Sequence, residues 1–281
     1  MRNRVVVARN LLKAWLVLVV PTAAMGVLGW ALGGYRVALL FAGSIVLLAA
    51  AFYVYADRIA MGLVGARELL AGEAPSLHST VSTLAGRAGV VAPKLYLLPD
   101  GYPRALSAGR GAGGGAALAV STGFLAVTTP AELEGVVAHE LAHLRHRDVL
   151  VQTVAAVGAA ALIEASRLGG WLQRALLVVL GPLAASLVHL LLSQRRELEA
   201  DRFAAEICQS PHGLADALLR LEDAMELVAF EASPATEPLY TTNPFAEDGL
   251  AAMFVTHPPL GERVRRLREL DPDWRQKLRA A

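Results

Sequence analysis

Two long apolar runs open the chain. Residues 1–13 carry Arg2, Arg4, Arg9 and Lys13 and no acid; Ala14 to Gly33 is then apolar, with Pro21 inside it. Gly33-Gly34-Tyr35-Arg36 makes a turn, and Val37 to Ala56 is apolar again before Asp57-Arg58 ends the run. Each run holds about 20 residues, enough at 1.5 Å per residue to cross a ~30 Å hydrocarbon core. Trp15, Tyr53 and Tyr55 lie near the ends, where interface aromatics collect. The pair predicts a transmembrane hairpin over 1–57. A secretory signal also starts basic, but its apolar core is shorter and no second span follows at once. The Lys and Arg ahead of the first run place that end in the cytoplasm, and two spans return the chain to the same side.

Beyond the hairpin the periodicity changes. Ile59, Leu63, Leu69 and Leu70, then Leu77, Val81 and Leu84, predict helix over 58–90 with a break at Pro75-Ser76. Pro93 to Leu98 reads as a short strand closed by Pro99-Asp100-Gly101, Tyr102 to Gly109 as a second extended stretch, and Ala117 to Ser121 as a third. The Gly-rich turn Arg110–Gly115 between them lacks the Lys-Ser/Thr that a phosphate cradle needs. A helix follows from Thr129: a capping hydroxyl, Pro130 at the first helical position, acidic residues in the first turn, and an apolar stripe of Leu133, Val136, Val137, Leu141 and Leu144. Val149 to Ile163 and Ala175 to Leu192 form a second apolar pair, separated by Gly169-Gly170. Their lengths favour a second spanning pair over a buried or membrane-edge one. Leu227 to Asp248, with Pro234, Pro238 and Pro244, reads as a long loop, either a flap or a disordered connector. Glu262 to Leu270 is helical. The expected fold class is mainly α with a small β-sheet, a hairpin at 1–57 and a domain at 58–281 interrupted by the apolar pair at 149–192.

Composition agrees with a membrane protein. Apolar residues make up 55% of the 281 and charged residues 18%, more apolar and less charged than an ordinary soluble domain. The net charge of +1 supplies no footprint for nucleic acid. A single cysteine, Cys208, excludes an intrachain disulfide and a Cys-rich metal site, and it reads as a small helix residue rather than a nucleophile.

The chemistry is concentrated in His139-Glu140-Leu141-Ala142-His143. On a helix, residues four apart share a face, so both imidazoles can meet one ion. Glu140, one step round, can reach a metal-bound water without ligating. This H-E-x-x-H pattern is a zinc-peptidase signature, but a catalytic zinc usually takes three protein ligands. Glu197 and Asp201 stand four apart in Arg195-Arg196-Glu197-Leu198-Glu199-Ala200-Asp201. Glu197 would complete a His₂Glu set and Asp201 could orient a ligating imidazole; a solvated charged helix face is the competing reading. Glu199 points away from Glu197 on the same helix. His146 reads as exposed, and His189 as a polar group on an interior face.

The ordered set of motifs resembles the HtpX-like membrane metallopeptidases of the M48 group, relatives of the Ste24 CAAX-processing protease. The resemblance runs from the basic start and its hairpin through Ala119-Val120-Ser121-Thr122-Gly123 and Glu134 to His143. It continues with Arg147-Asp148, Arg196-Glu197-Leu198-Glu199-Ala200-Asp201-Arg202-Phe203-Ala204 and Thr256-His257-Pro258-Pro259-Leu260, followed by Arg263. It implies an integral membrane, zincin-like fold, zinc on His139, His143 and Glu197, Glu140 as general base, and Asp201 beside a ligand. It also implies that His257 approaches the site and hydrogen-bonds substrate or the oxyanion. The implied activity is endopeptidase cleavage of membrane or misfolded polypeptides at the cytoplasmic face of the inner membrane, as quality control. Site-specific processing of one precursor and a non-catalytic zinc-stabilised scaffold are the alternatives. One departure stands out: the family often has Asn at the edge segment where this chain has Arg104, which cannot accept a hydrogen bond.

Overall fold

The short strands between the Gly- and Pro-rich turns assemble into one mixed sheet. A computed structural model of the chain describes residues 2–167, 179–186, 188, 194–225 and 258–271. Strands β1 (Arg67–Glu68), β2 (Lys94–Leu98), β3 (Ala105–Gly109) and β4 (Ala116–Ser121) lie in the order β1-β2-β4-β3. β2 and β4 run parallel, and the outer strands pair antiparallel. β3 is therefore an edge strand, registered with Ser107 opposite Leu118.

Period-two alternation decides what each face of the sheet meets. Leu95, Ala105, Leu118 and Val120 join one core with helices α2 (Pro75–Ala88), α4 (Pro130–His146), α6 (Gln194–Cys208), α7 (His212–Met225) and α8 (Leu260–Glu269). Tyr96, Leu98, Leu106, Ala108, Ala117 and Ala119 point the other way, onto Ala60 and Met61 of α1 (Arg2–Leu63) and Ala156 of α5 (Asp148–Arg167). The short helix α3 (Thr122–Val127) links β4 to α4, with Ser121 as its cap. Each fully buried Leu in these layers contributes roughly 1.5–3 kcal/mol.

α1 is broken at Gly33-Gly34, where Gly34 takes φ 71, a left-handed turn that glycine adopts without strain. A Cβ on Gly29 would lie 2.8 Å from Ala38 Cα, and one on Gly26 would lie 3.8 Å from Ala42 Cβ. One number falls as its partner rises, so the two arms lie antiparallel and touch through small residues. Trp30, Leu39 and Leu47 are about two-thirds exposed on these arms, whereas Ala56 is buried and Ala60 and Met61 join the sheet core. The second arm thus runs directly into the domain that holds the sheet.

The helix expected over 58–90 is three elements, two helices with a short strand between them. α1 ends at Leu63, Gly65 turns the chain, β1 pairs with β2, and Pro75 starts α2 rather than breaking it. Pro at a first helical position gives up no hydrogen bond, which is why it serves as a start here. The Val149–Ile163 run forms most of α5; Val151, Ala155, Ala159 and Ile163 pack against Ala184, Ala185 and Val188 of the following apolar stretch. The segment 227–248 lies outside the described residues.

Candidate active site

α4 starts where its sequence says it should. The Thr129 hydroxyl accepts from Glu132 N, and the Glu132 carboxylate accepts in return from Thr129 N at 2.7 Å, a reciprocal cap. Arg220 of α7 donates to both oxygens of the same carboxylate, at 2.8 and 2.9 Å. Gly135 lets α7 approach: a Cβ there would sit 2.4 Å from Leu214 N. At the other end, Arg147 adopts φ 58 and its N–H bonds the carbonyls of His143 and Leu144. The chain then turns by 92° into α5. That turn carries Asp148 back beside His143.

His139 and His143 are buried on one face of α4, their rings edge-on with centroids 4.7 Å apart. α6 crosses that face with Glu197, Ala200, Asp201 and Ala204 buried at helical spacing. The alanines permit close approach. Glu197 Oε2 reaches 3.6 Å from His139 Nε2 and 3.7 Å from His143 Nε2, and the two Nε2 atoms are 3.2 Å apart. Ligand atoms on a tetrahedral ion bound at 2.0–2.1 Å stand about 3.3 Å from one another. The triangle matches that edge to within a few tenths of an ångström. Among the described residues these three make the one group of His, Cys, Asp and Glu side chains that converges in this way.

The distal nitrogens are also engaged. His139 Nδ1 donates to Asp201 Oδ1 at 2.9 Å, and Arg263 of α8 donates to both oxygens of Asp201, at 2.7 and 2.9 Å. His143 Nδ1 faces Asp148 Oδ2 at 3.5 Å, and Arg196 lies between Asp148 and Glu197. Both imidazoles are thereby turned with Nε2 toward Glu197, the tautomer and orientation a metal requires. Burial opposes charge on Asp201, but Arg263 and His139 outweigh it and hold the carboxyl at about 2. Burial likewise opposes charge on His143, but Glu197 and Asp148 prevail and raise it to about 10. The pocket demands positive charge between these carboxylates, and a divalent ion supplies it with the imidazoles neutral.

Glu140 is buried beside the triad, and the Ser107 hydroxyl of β3 donates to its Oε2 at 2.6 Å. Ser107 carries no role in the sequence reading, and Asp148 and Arg263 are only parts of motifs there. Their signals were weak: Asp148 depends on a left-handed cap at a non-glycine residue, and Ser107 on which face of an edge strand meets α4. Arg104 spends its guanidinium on Asp100, while its backbone N–H donates to Ser121 Oγ at 3.0 Å. Glu199 and His146 stand outside the triad; the His146 ring packs 5.4 Å from Phe203. Burial and the nearby Glu134 push the Cys208 thiol to about 11, which leaves it inert at neutral pH. His189 and His257 lie outside the described residues.

A His-Glu-x-x-His helix joined by a carboxylate from a second helix, beside the edge strand of a small sheet, defines a metallopeptidase. The model of peptidase family M48 matches residues 71–271, and the chain belongs to that family. A protease HtpX homolog of Pelotomaculum thermopropionicum is 36% identical over 276 residues, covering 92% of this chain and 98% of its own. One from Pyrococcus abyssi is 38% identical, covering 89% and 92%. The crystal structure of S. mikatae Ste24p superposes with a TM-score of 0.49 at 14% identity, covering 95% of this chain and 66% of that one.

Proposed function

We propose that the chain is a zinc-dependent endopeptidase held in the cell membrane, cleaving membrane or misfolded proteins at the cytoplasmic face. The observation that carries this reading is the meeting of Glu197 with His139 and His143, next to Glu140 on the same helix. The N₂O donor set and its spacing suit zinc. When bound, zinc would supply a Lewis acid and a water of lowered pKa. Asp201 and Asp148 hold the two imidazoles in register. Glu140 accepts the proton of the attacking water as the water oxygen bonds to the carbonyl carbon. It returns that proton to the amine nitrogen as the C–N bond breaks. An extended polypeptide would pair along β3, whose outer edge no strand of the described sheet covers. His257 is assigned to substrate or oxyanion on the motif alone.

The exposed apolar arms of α1 support membrane insertion as a hairpin, and the basic residues ahead of it favour a cytoplasmic site. The names of the relatives support proteolysis. The test is metal analysis and casein hydrolysis on detergent-purified protein. Glu140→Gln should retain about one zinc per chain and lose hydrolysis by at least about 100-fold, whereas Glu197→Ala should lose the zinc. Full zinc in Glu197→Ala, or substantial hydrolysis by Glu140→Gln, overturns the reading. Cuts scattered along many unfolded substrates support quality control, and one cut in one precursor supports processing instead.

A further inference from the structure

We propose that Ser107 is a positioning residue for Glu140, holding the base from the same edge strand that receives the substrate. This rests on Glu140 being the proton acceptor. The contact is short, at 2.6 Å, and both partners are buried. It joins residues far apart in the chain, from β3 to α4.

Strand alternation makes the contact specific. Leu106 and Ala108 turn toward α1 and α5, while Ala105 joins the core around α4. Ser107 therefore presents its hydroxyl on the face that meets Glu140. The strand is pinned on both sides of Ser107. Gly109 N donates to Thr153 Oγ1 of α5 at 3.0 Å, Ala105 pairs with Val120, Arg104 N donates to Ser121 Oγ, and Ser121 N donates to the Arg104 carbonyl. A hydroxyl on such a strand occupies a fixed point in the site.

The choice of a hydroxyl suits a group that must change charge and change back. An N–H or ammonium group can only donate, so it cannot accept from the O–H of the carboxylic acid. A serine hydroxyl donates to the carboxylate, then rotates and accepts from the carboxylic acid once the proton has arrived. It restrains the Glu140 side chain in both states. Because β3 is also the end strand of the described sheet, a polypeptide pairing along it would seat its backbone against the strand that holds the base. Substrate position and base position then share one support.

The experiment compares wild type, Ser107→Ala, Ser107→Thr and Glu140→Gln, each zinc-loaded in detergent. Casein hydrolysis and infrared spectra of the carboxylate stretch are recorded for each. The band that Glu140→Gln removes should move in Ser107→Ala, because its carboxylate has lost a donor. The kcat of Ser107→Ala should fall about tenfold with KM held within about twofold, since misplacing a catalytic group costs turnover rather than binding. Ser107→Thr, which keeps the hydroxyl, should restore most of the rate and the band position. An unmoved band, an unchanged kcat, or a rise in KM alone overturns the proposal. Active Glu140→Gln would instead sink the assignment of Glu140 as base, an outcome that the band position separates from failure of the Ser107 contact.

Discussion

Asp148 shows how one residue's backbone decides another's chemistry. Arg147 takes a left-handed conformation at φ 58, which costs a non-glycine residue roughly a kcal/mol or more. In return the chain turns sharply enough to bring Asp148 to 3.5 Å from His143 Nδ1. With Asp201 on His139, each imidazole of the triad has its own carboxylate. Removing the charge while keeping the shape should therefore weaken metal binding without removing a ligand. Asp148→Asn and Asp201→Asn should each lower zinc affinity about 10–100-fold, measured by competition with a chelating dye, and leave the stoichiometry at saturation unchanged. Asp201→Asn should be the more damaging to stability, because it removes the carboxylate charge that takes two hydrogen bonds from the buried Arg263 guanidinium.

Among elements, the joint between α4 and α7 carries the load of holding the site helix. Glu132 closes the α4 cap and receives Arg220 from α7, while Gly135 allows the two backbones to meet. Burial alone would raise the Glu132 carboxyl, but Thr129 and Arg220 outweigh it and hold it below the ordinary value of 4.5. A depressed carboxyl pKa means the unfolded chain binds the proton more tightly, so stability is gained above the unfolded value and lost below it. Glu132→Gln should cost about 1 kcal/mol or more at neutral pH. In urea titrations of the metal-free protein, the gap from wild type should stay constant above 4.5 and close as the pH falls below that value. A gap that widens on acidification would mean that Glu132 is not the anionic member of this joint.

For the whole molecule, the question is how the apolar arms meet the domain. α1 is not a tether attached through a linker: its last turn, at Ala60 and Met61, forms part of the sheet core. β3 is therefore held at a set distance from the exposed arms. If the arms span the bilayer as proposed, β2 lies on the same side as the basic residues at the start of the chain. Lys94→Cys in a Cys208→Ser background should react with a membrane-impermeant maleimide in inside-out vesicles and stay protected in intact cells. Labelling in intact cells would reverse the orientation.

Much of this was legible because it rests on local rules. Hydrophobic periodicity marked the apolar arms and the site helix, the cap sequence Thr129 to Glu132 marked where that helix begins, and four-residue spacing put His139 and His143 on one face. The same spacing paired Glu197 with Asp201, yet a solvated helix face satisfied the pattern equally well. Only packing distinguishes the two readings, because burial and the meeting of α6 with α4 depend on contacts between segments far apart in sequence. The short β1 was missed for the same reason: two residues carry no period of their own and become a strand only by pairing with β2. Ser107, Asp148 and Arg263 acquire their partners through an edge strand's facing, a left-handed cap and a distant helix. The chain by itself determined which side chains could do metal chemistry and which elements present them. The tertiary structure decided which of them meet, since long-range packing, not local preference, sets the distances on which hydrogen bonds and metal ligation depend.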